Sequence, residues 1–184
     1  SNFVTTPDAF QPTMARGLDA FVTKFSANGS VAYSTFLGGN GLGDVGFDIA
    51  LGNDDNIYVA GSTTSTNFPT SPGAFRSTIT GSSSHFVTVF QAGATNLIYS
   101  SYFGTGGARG VAVDQLGNAY VSGDTSDPNF PLIDATQSVF GGVRDMTIMK
   151  VNPFESGANS LVFSTYFGGS ALEANFGIAV DPQG

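Results

Sequence analysis

Fourteen carboxylates, six cations, one histidine and no cysteine are the ionisable and metal-binding side chains that these 184 residues supply. The absence of cysteine removes disulfides, thiol nucleophiles and thiolate metal sites together. His85 is the only imidazole, and no carboxylate stands beside it in sequence to complete a metal site. Serines are abundant, but no Gly-x-Ser-x-Gly elbow occurs and a single histidine could serve as base. Paired acids can hydrolyse glycosidic bonds or hold calcium. The densest pair is Asp54-Asp55, with Asp44 and Asp48 just before it and Glu173 and Asp181 far along the chain. Their spacing does not follow the Asp-x-Asp/Asn-x-Asp/Asn-Gly calcium loop. Gly38-Gly-Asn-Gly-Leu-Gly43 and Gly104-Thr-Gly-Gly107 have the composition of a phosphate cradle. They lack the lysine and the following helix that such a loop needs.

A repeated set of strands must position these residues. Ser30-Val-Ala-Tyr-Ser-Thr-Phe-Leu-Gly-Gly39 returns as Asn96-Leu-Ile-Tyr-Ser-Ser-Tyr-Phe-Gly-Thr105 and again as Ser160-Leu-Val-Phe-Ser-Thr-Tyr-Phe-Gly-Gly169. An Asn-Phe pair recurs at Asn2-Phe3, Asn67-Phe68 and Asn129-Phe130, at spacings of 65 and 62 residues. Each period holds four strand-like runs. The first is Ile49-Ala-Leu51, matched by Val111-Ala-Val113 and Ile178-Ala-Val180. A turn follows, Gly52-Asn-Asp-Asp-Asn56 or Asp114-Gln-Leu-Gly-Asn118, whose Asp, Gly and Asn suit a short hairpin loop with one left-handed residue. The second run is Asn56-Ile-Tyr-Val-Ala-Gly61 or Asn118-Ala-Tyr-Val-Ser-Gly123, and a long Ser, Thr and Pro-rich connection leads on. The third alternates apolar and polar residues, as in His85-Phe-Val-Thr-Val-Phe90. The fourth is the Tyr-Ser-Thr-Phe run itself. Four antiparallel strands in about sixty residues predict an all-β chain of β-propeller blades.

The repeat gives most of the reactive side chains a structural reading. His85 falls where the other copies carry Ala20 and Met146, which predicts a half-buried packing residue. Ser34, Ser100 and Ser164 recur in register and suit hydroxyl pairing across a strand face. Asp54 and Asp55 read as a solvated hairpin tip, and Asn28-Gly-Ser30 as a hairpin turn rather than a glycosylation acceptor. Tyr33, Phe36, Tyr99, Tyr102, Phe163 and Tyr166 could form a sugar-stacking platform, but packing between blades accounts better for their register. No residue breaks the repeat in a catalytically useful way. No catalytic and no cofactor-binding residue is therefore assigned; should calcium bind, the candidates are Asp54, Asp55, Asp44 and Asp48.

Together, Gly-Ile-Ala-Val-Asp, Asn-x-Tyr-Val-x-Gly, Asn-Phe-Pro-Thr, Asp-Ala-Phe-Val-x-Lys and Tyr-Ser-Thr-Tyr-Phe-Gly-Gly resemble the bacterial β-propeller repeat named after the seven-bladed propeller. The likeness runs over essentially the whole chain. Departures are local: Asp55 for the turn glycine, Gly52 for the turn aspartate, and Ser84-His85 for Asp-Ala. The resemblance implies an extracellular or cell-surface repeat array and brings no catalytic residues with it. The expected units are a partial blade at 1–39, blades at 47–104 and 110–169, and the first strand of a further blade at 177–184. A propeller of about three repeats would not close, so the chain is expected to be a segment of a longer one or a protomer completed by another copy.

Composition narrows the function. The net charge of −8 opposes binding to phosphate backbones, so nucleic acid is not an expected partner. No apolar run is long enough to span a bilayer. Few lysines amid Ser, Thr, Gly and Asn suit an exported surface. The expected function is a non-enzymatic extracellular or cell-surface module with a structural, adhesive or filament-forming role, pairing through exposed strand edges. Its partners would be further copies or the missing blades, and surface glycans are the alternative, with calcium as an aid. A propeller glycosidase or lyase is the third reading.

Overall fold

The computed structural model describes residues 3–181. Asn2 of the first Asn-Phe pair and the close of the last turn, 182–184, lie outside the described residues. Strands β1 (Ala20–Phe25) and β2 (Val31–Leu37) form a two-stranded sheet. Strands β3 (Asp44–Leu51), β4 (Ile57–Thr63), β5 (Ser84–Phe90) and β6 (Leu97–Tyr102) form an antiparallel four-stranded sheet in chain order. So do β7 (Gly107–Val113), β8 (Ala119–Thr125), β9 (Asp145–Val151) and β10 (Leu161–Phe167). One 3-10 turn at Gly157–Ser160 is the sole helical element among the described residues. The chain is all-β: half a blade, then two complete four-stranded blades, with no closure between the first sheet and the last.

Turn chemistry sets the hairpins. Asp114 accepts hydrogen bonds from the backbone of Leu116 and Asn118, both at 2.9 Å, and Gly117 takes φ +83°. In the preceding blade Gly52 stands at the aspartate position, and Asp54 instead bonds the backbone and side-chain amides of Asn56. Asp55 there occupies the left-handed position at φ +60°. Gly29, at φ +83°, closes the turn of Asn28-Gly-Ser30.

The blades stack face to face. Ala20, Val22 and Tyr33 of the half blade pack on Val59, Phe86 and Phe90 of the first full blade. The opposite face of that blade, with Tyr58, Val87, Val89 and Tyr99, packs on Val121, Met149 and Val151 of the second. Burial of each such side chain contributes about 1.5–3 kcal/mol. Tyrosines bolt the stack: Tyr33 donates to the carbonyl of Ala94, and Tyr99 shares a 2.9 Å hydroxyl pair with Ser160 one blade further on. Phe163, the next in the series, has no hydroxyl to extend.

Four features add to or depart from the expected layout. The inner strands begin at Asp44 and Gly107, earlier than 47 and 110, because the glycine-rich links pair with Gly61–Thr63 and Gly123–Asp124. Each inner strand carries a bulge, between Gly46 and Asp48 and between Ala108 and Gly110, that leaves Phe47 and Arg109 unpaired. Residues 177–181 form no strand, since an inner strand is held by a second strand and none pairs with Ile178-Ala-Val180. The outer edges are also not free. Ser71 donates to Ser100 at 2.9 Å, Tyr102 to Arg76 at 3.1 Å, and Ile133 to Ser164 at 3.1 Å. The long connections thus strap the outer strand of each blade, whereas β1 of the half blade has β2 as its one strand neighbour among the described residues.

Candidate functional site

The residues singled out for chemistry are dispersed and engaged. Asp44 is buried and accepts from Gly39 N–H, Thr63 Oγ1 and Ser65 Oγ at 2.6, 2.6 and 2.7 Å, tying the link to the second strand. Asp48 accepts from Val111 N–H at 2.8 Å and so joins two inner strands. Asp54 and Asp55 lie at the exposed hairpin tip. Among the described residues no three His, Asp or Glu side chains gather in a metal-holding group. Asp145 and Glu173 each leave one buried carboxylate oxygen without a partner. Ser34 pairs with Thr23 at 3.0 Å and Ser100 with Thr88 at 2.8 Å, as the strand register dictates. Ser164 faces Met149 instead, and its hydroxyl is unpartnered. Tyr33, Phe36, Tyr99, Tyr102 and Tyr166 are buried, so these rings serve packing rather than a sugar platform. Tyr102 and Tyr166 also take a hydrogen bond from Phe68 and Phe130 N–H of the Asn-Phe pairs, at 2.9 and 3.1 Å.

His85 is fully buried rather than half-buried, wedged between the two complete blades. Its Nδ1 lies 3.0 Å from the carbonyl of Gly104 and its ring stands edge-on to Phe130 at 5.0 Å. Loss of solvation pushes its pKa down to about 4, against the opposing pull of the Gly104 carbonyl and of Asp124. The imidazole is therefore neutral at neutral pH.

Three charges nearby break the repeat and were not singled out from the sequence. Arg109 stands where the other copies have Phe47 and Phe176, Asp124 where the preceding copy has Ser62, and Arg144 where the others have Leu18 and Ser83. The fold brings them together. The β7 bulge turns Arg109 out of the ladder, its guanidinium lies 4.2 Å from the ring centre of the bulged Phe47, and its Nε donates to Asp124 Oδ1 at 2.6 Å. Arg144 Nη1 lies 3.5 Å from the other oxygen of Asp124. Two cavities, of about 310 and 490 Å³, flank this bridge and share Phe47, Arg109, Asp124 and Arg144. Comparing charges at equivalent repeat positions is the sequence signal that marks these residues.

The two four-stranded meanders, stacked face to face, each opening on a bulged inner strand and ending under a strap, have the form of β-propeller blades. Residues 98–131 match the family model described as a β-propeller repeat, a span running from β6 through β7 and β8 to the Asn-Phe pair. No curated protein matches the chain. Among the described residues no helix is long and apolar enough to cross a membrane.

Proposed function

We propose that this chain is a non-enzymatic structural module of an exported or cell-surface protein, built to associate face to face with further blades of its own kind. One observation carries the reading. Phe86 and Phe90 are fully buried, whereas Phe21 and Phe25, at the same positions and on the same face of the half blade, are 59% and 63% exposed. At the other end Met146 and Ile148 are only half-buried where their counterparts His85 and Val87 are fully so. The two open faces thus carry apolar residues at most positions of the internal blade interface, with Lys150 in the place of Val89. Another copy of the chain, docked head to tail, would reproduce that interface, and such a contact closes into a ring or propagates as a filament. The acidic surface favours an exported, dispersed state over nucleic-acid binding. The reading requires no cofactor.

Sedimentation of the chain tests it. Mass is expected to rise above that of one chain with concentration. Phe25→Glu and Ile148→Glu should each arrest growth, while a mixture of the two should form one-to-one dimers through the one intact pair of faces. A single-chain mass up to about 1 mM, or a mixture that stays monomeric, overturns the proposal.

A further inference from the structure

We infer that the Arg109–Asp124–Arg144 bridge is a binding site for a monoanionic, carboxylate-bearing sugar. Asp124 is buried and both its oxygens face a guanidinium, so the cluster keeps one net positive charge within a chain of net charge −8. Arg109 stacks on Phe47 and hydrogen-bonds the protein through its Nε; among the described residues its two terminal nitrogens have no hydrogen-bond acceptor. The Arg144 guanidinium approaches Asp124 at 3.5 Å and is 47% exposed. These planar donors suit a carboxylate, which takes paired N–H groups from a guanidinium fork. A single net charge matches a monoanion better than a phosphate dianion.

The walls select the rest of the ligand. Serines and threonines line the smaller cavity; Ser62, Thr105 and Thr125 already donate to backbone carbonyls, which leaves the hydroxyls of Ser82, Ser83 and Ser126 to serve the donors and acceptors of a sugar ring. The larger contains Asn175, whose buried Oδ1 lacks a donor, and Phe176, whose ring is 97% exposed. The exposed aromatic face of Phe176 suits a sugar ring that stacks. The supports are rigid: Arg109 is fixed by the bulge, by Phe47 and by Asp124, so little ordering is left for binding to accomplish.

Titration of the folded chain with galacturonate, galactose and acetate, followed by amide and guanidinium NMR shifts, tests the site. Galacturonate is expected to shift Arg109, Arg144 and Asn175 signals and to bind at least about tenfold more tightly than galactose or acetate. Arg144→Gln, at an exposed position, should weaken it about fivefold, and Asp124→Asn should tighten it by removing the competing carboxylate. Thermal melts of both variants establish that they fold. A bridge that is purely structural predicts no tightening in Asp124→Asn. That result, equal binding of galactose, equal binding of acetate, or no shifts at about 20 mM galacturonate, overturns the inference.

Discussion

His85 carries a pH dependence that its position dictates. The unfolded chain takes up a proton near pH 6.5, and the folded chain does so only near 4. Between those values the unfolded state binds more protons, so stability rises with pH and is lost on acidification. The loss through this one group is about 3 kcal/mol once the pH reaches 4. His85→Met, which installs the residue found at the equivalent position 146, should remove that component. In urea melts of both proteins from pH 7 to 4, the stability of the variant relative to the parent should therefore rise by about 3 kcal/mol; parallel curves would refute the assignment. Asp55 offers a second test at this scale. It holds φ +60° where the next blade has Gly117 at +83°, so Asp55→Gly should raise stability by about 0.5–1 kcal/mol in a thermal melt. Both positions could be read from the repeat, because each is a departure from its copies. The depth of His85 could not, since Ala20 and Met146 specify an apolar site without saying how many blades cover it.

At the scale of the strand, environment rather than residue type decides the energy. Phe90 and Phe25 end equivalent strands, yet one lies between blades and the other on an open face. Phe90→Ala should cost about 3–5 kcal/mol and Phe25→Ala, in dilute monomer, less than about 1 kcal/mol; equal losses in urea titrations would contradict the stacking. The alternating third strands and the Tyr-Ser-Thr-Phe fourth strands were legible because period-two patterning and packing agree there. The bulges were not. Phe47 and Arg109 follow glycines that read as linker, and only pairing of those glycines with Gly61–Thr63 and Gly123–Asp124 extends the inner strands past them. The candidate site was hidden for the same reason. Its three charges come from two strand ends and a connection, and no local pattern joins Arg109, Asp124 and Arg144. The straps were equally illegible, since Ser, Thr and Pro-rich connections show no strand periodicity while still donating to the outer strand.

As a whole, the molecule is a one-dimensional stack with a separate core at each blade junction. Stability should then follow the number of neighbours. Native-state hydrogen exchange is expected to be slowest in β4 and β5, covered on both faces, and fastest in β1 and β2, covered on one; uniform protection would indicate a single cooperative unit instead. The charge of −8 spread over such a stack repels like copies at long range, a cost that the proposed face-to-face docking must offset. The strap has a consequence for how such chains change over generations. Because each blade covers its own outer edge with its own connection, a duplicated or deleted period leaves no raw β-edge behind. Gene-level gain or loss of a whole blade therefore brings its own rim cover with it and adds no uncovered outer strand.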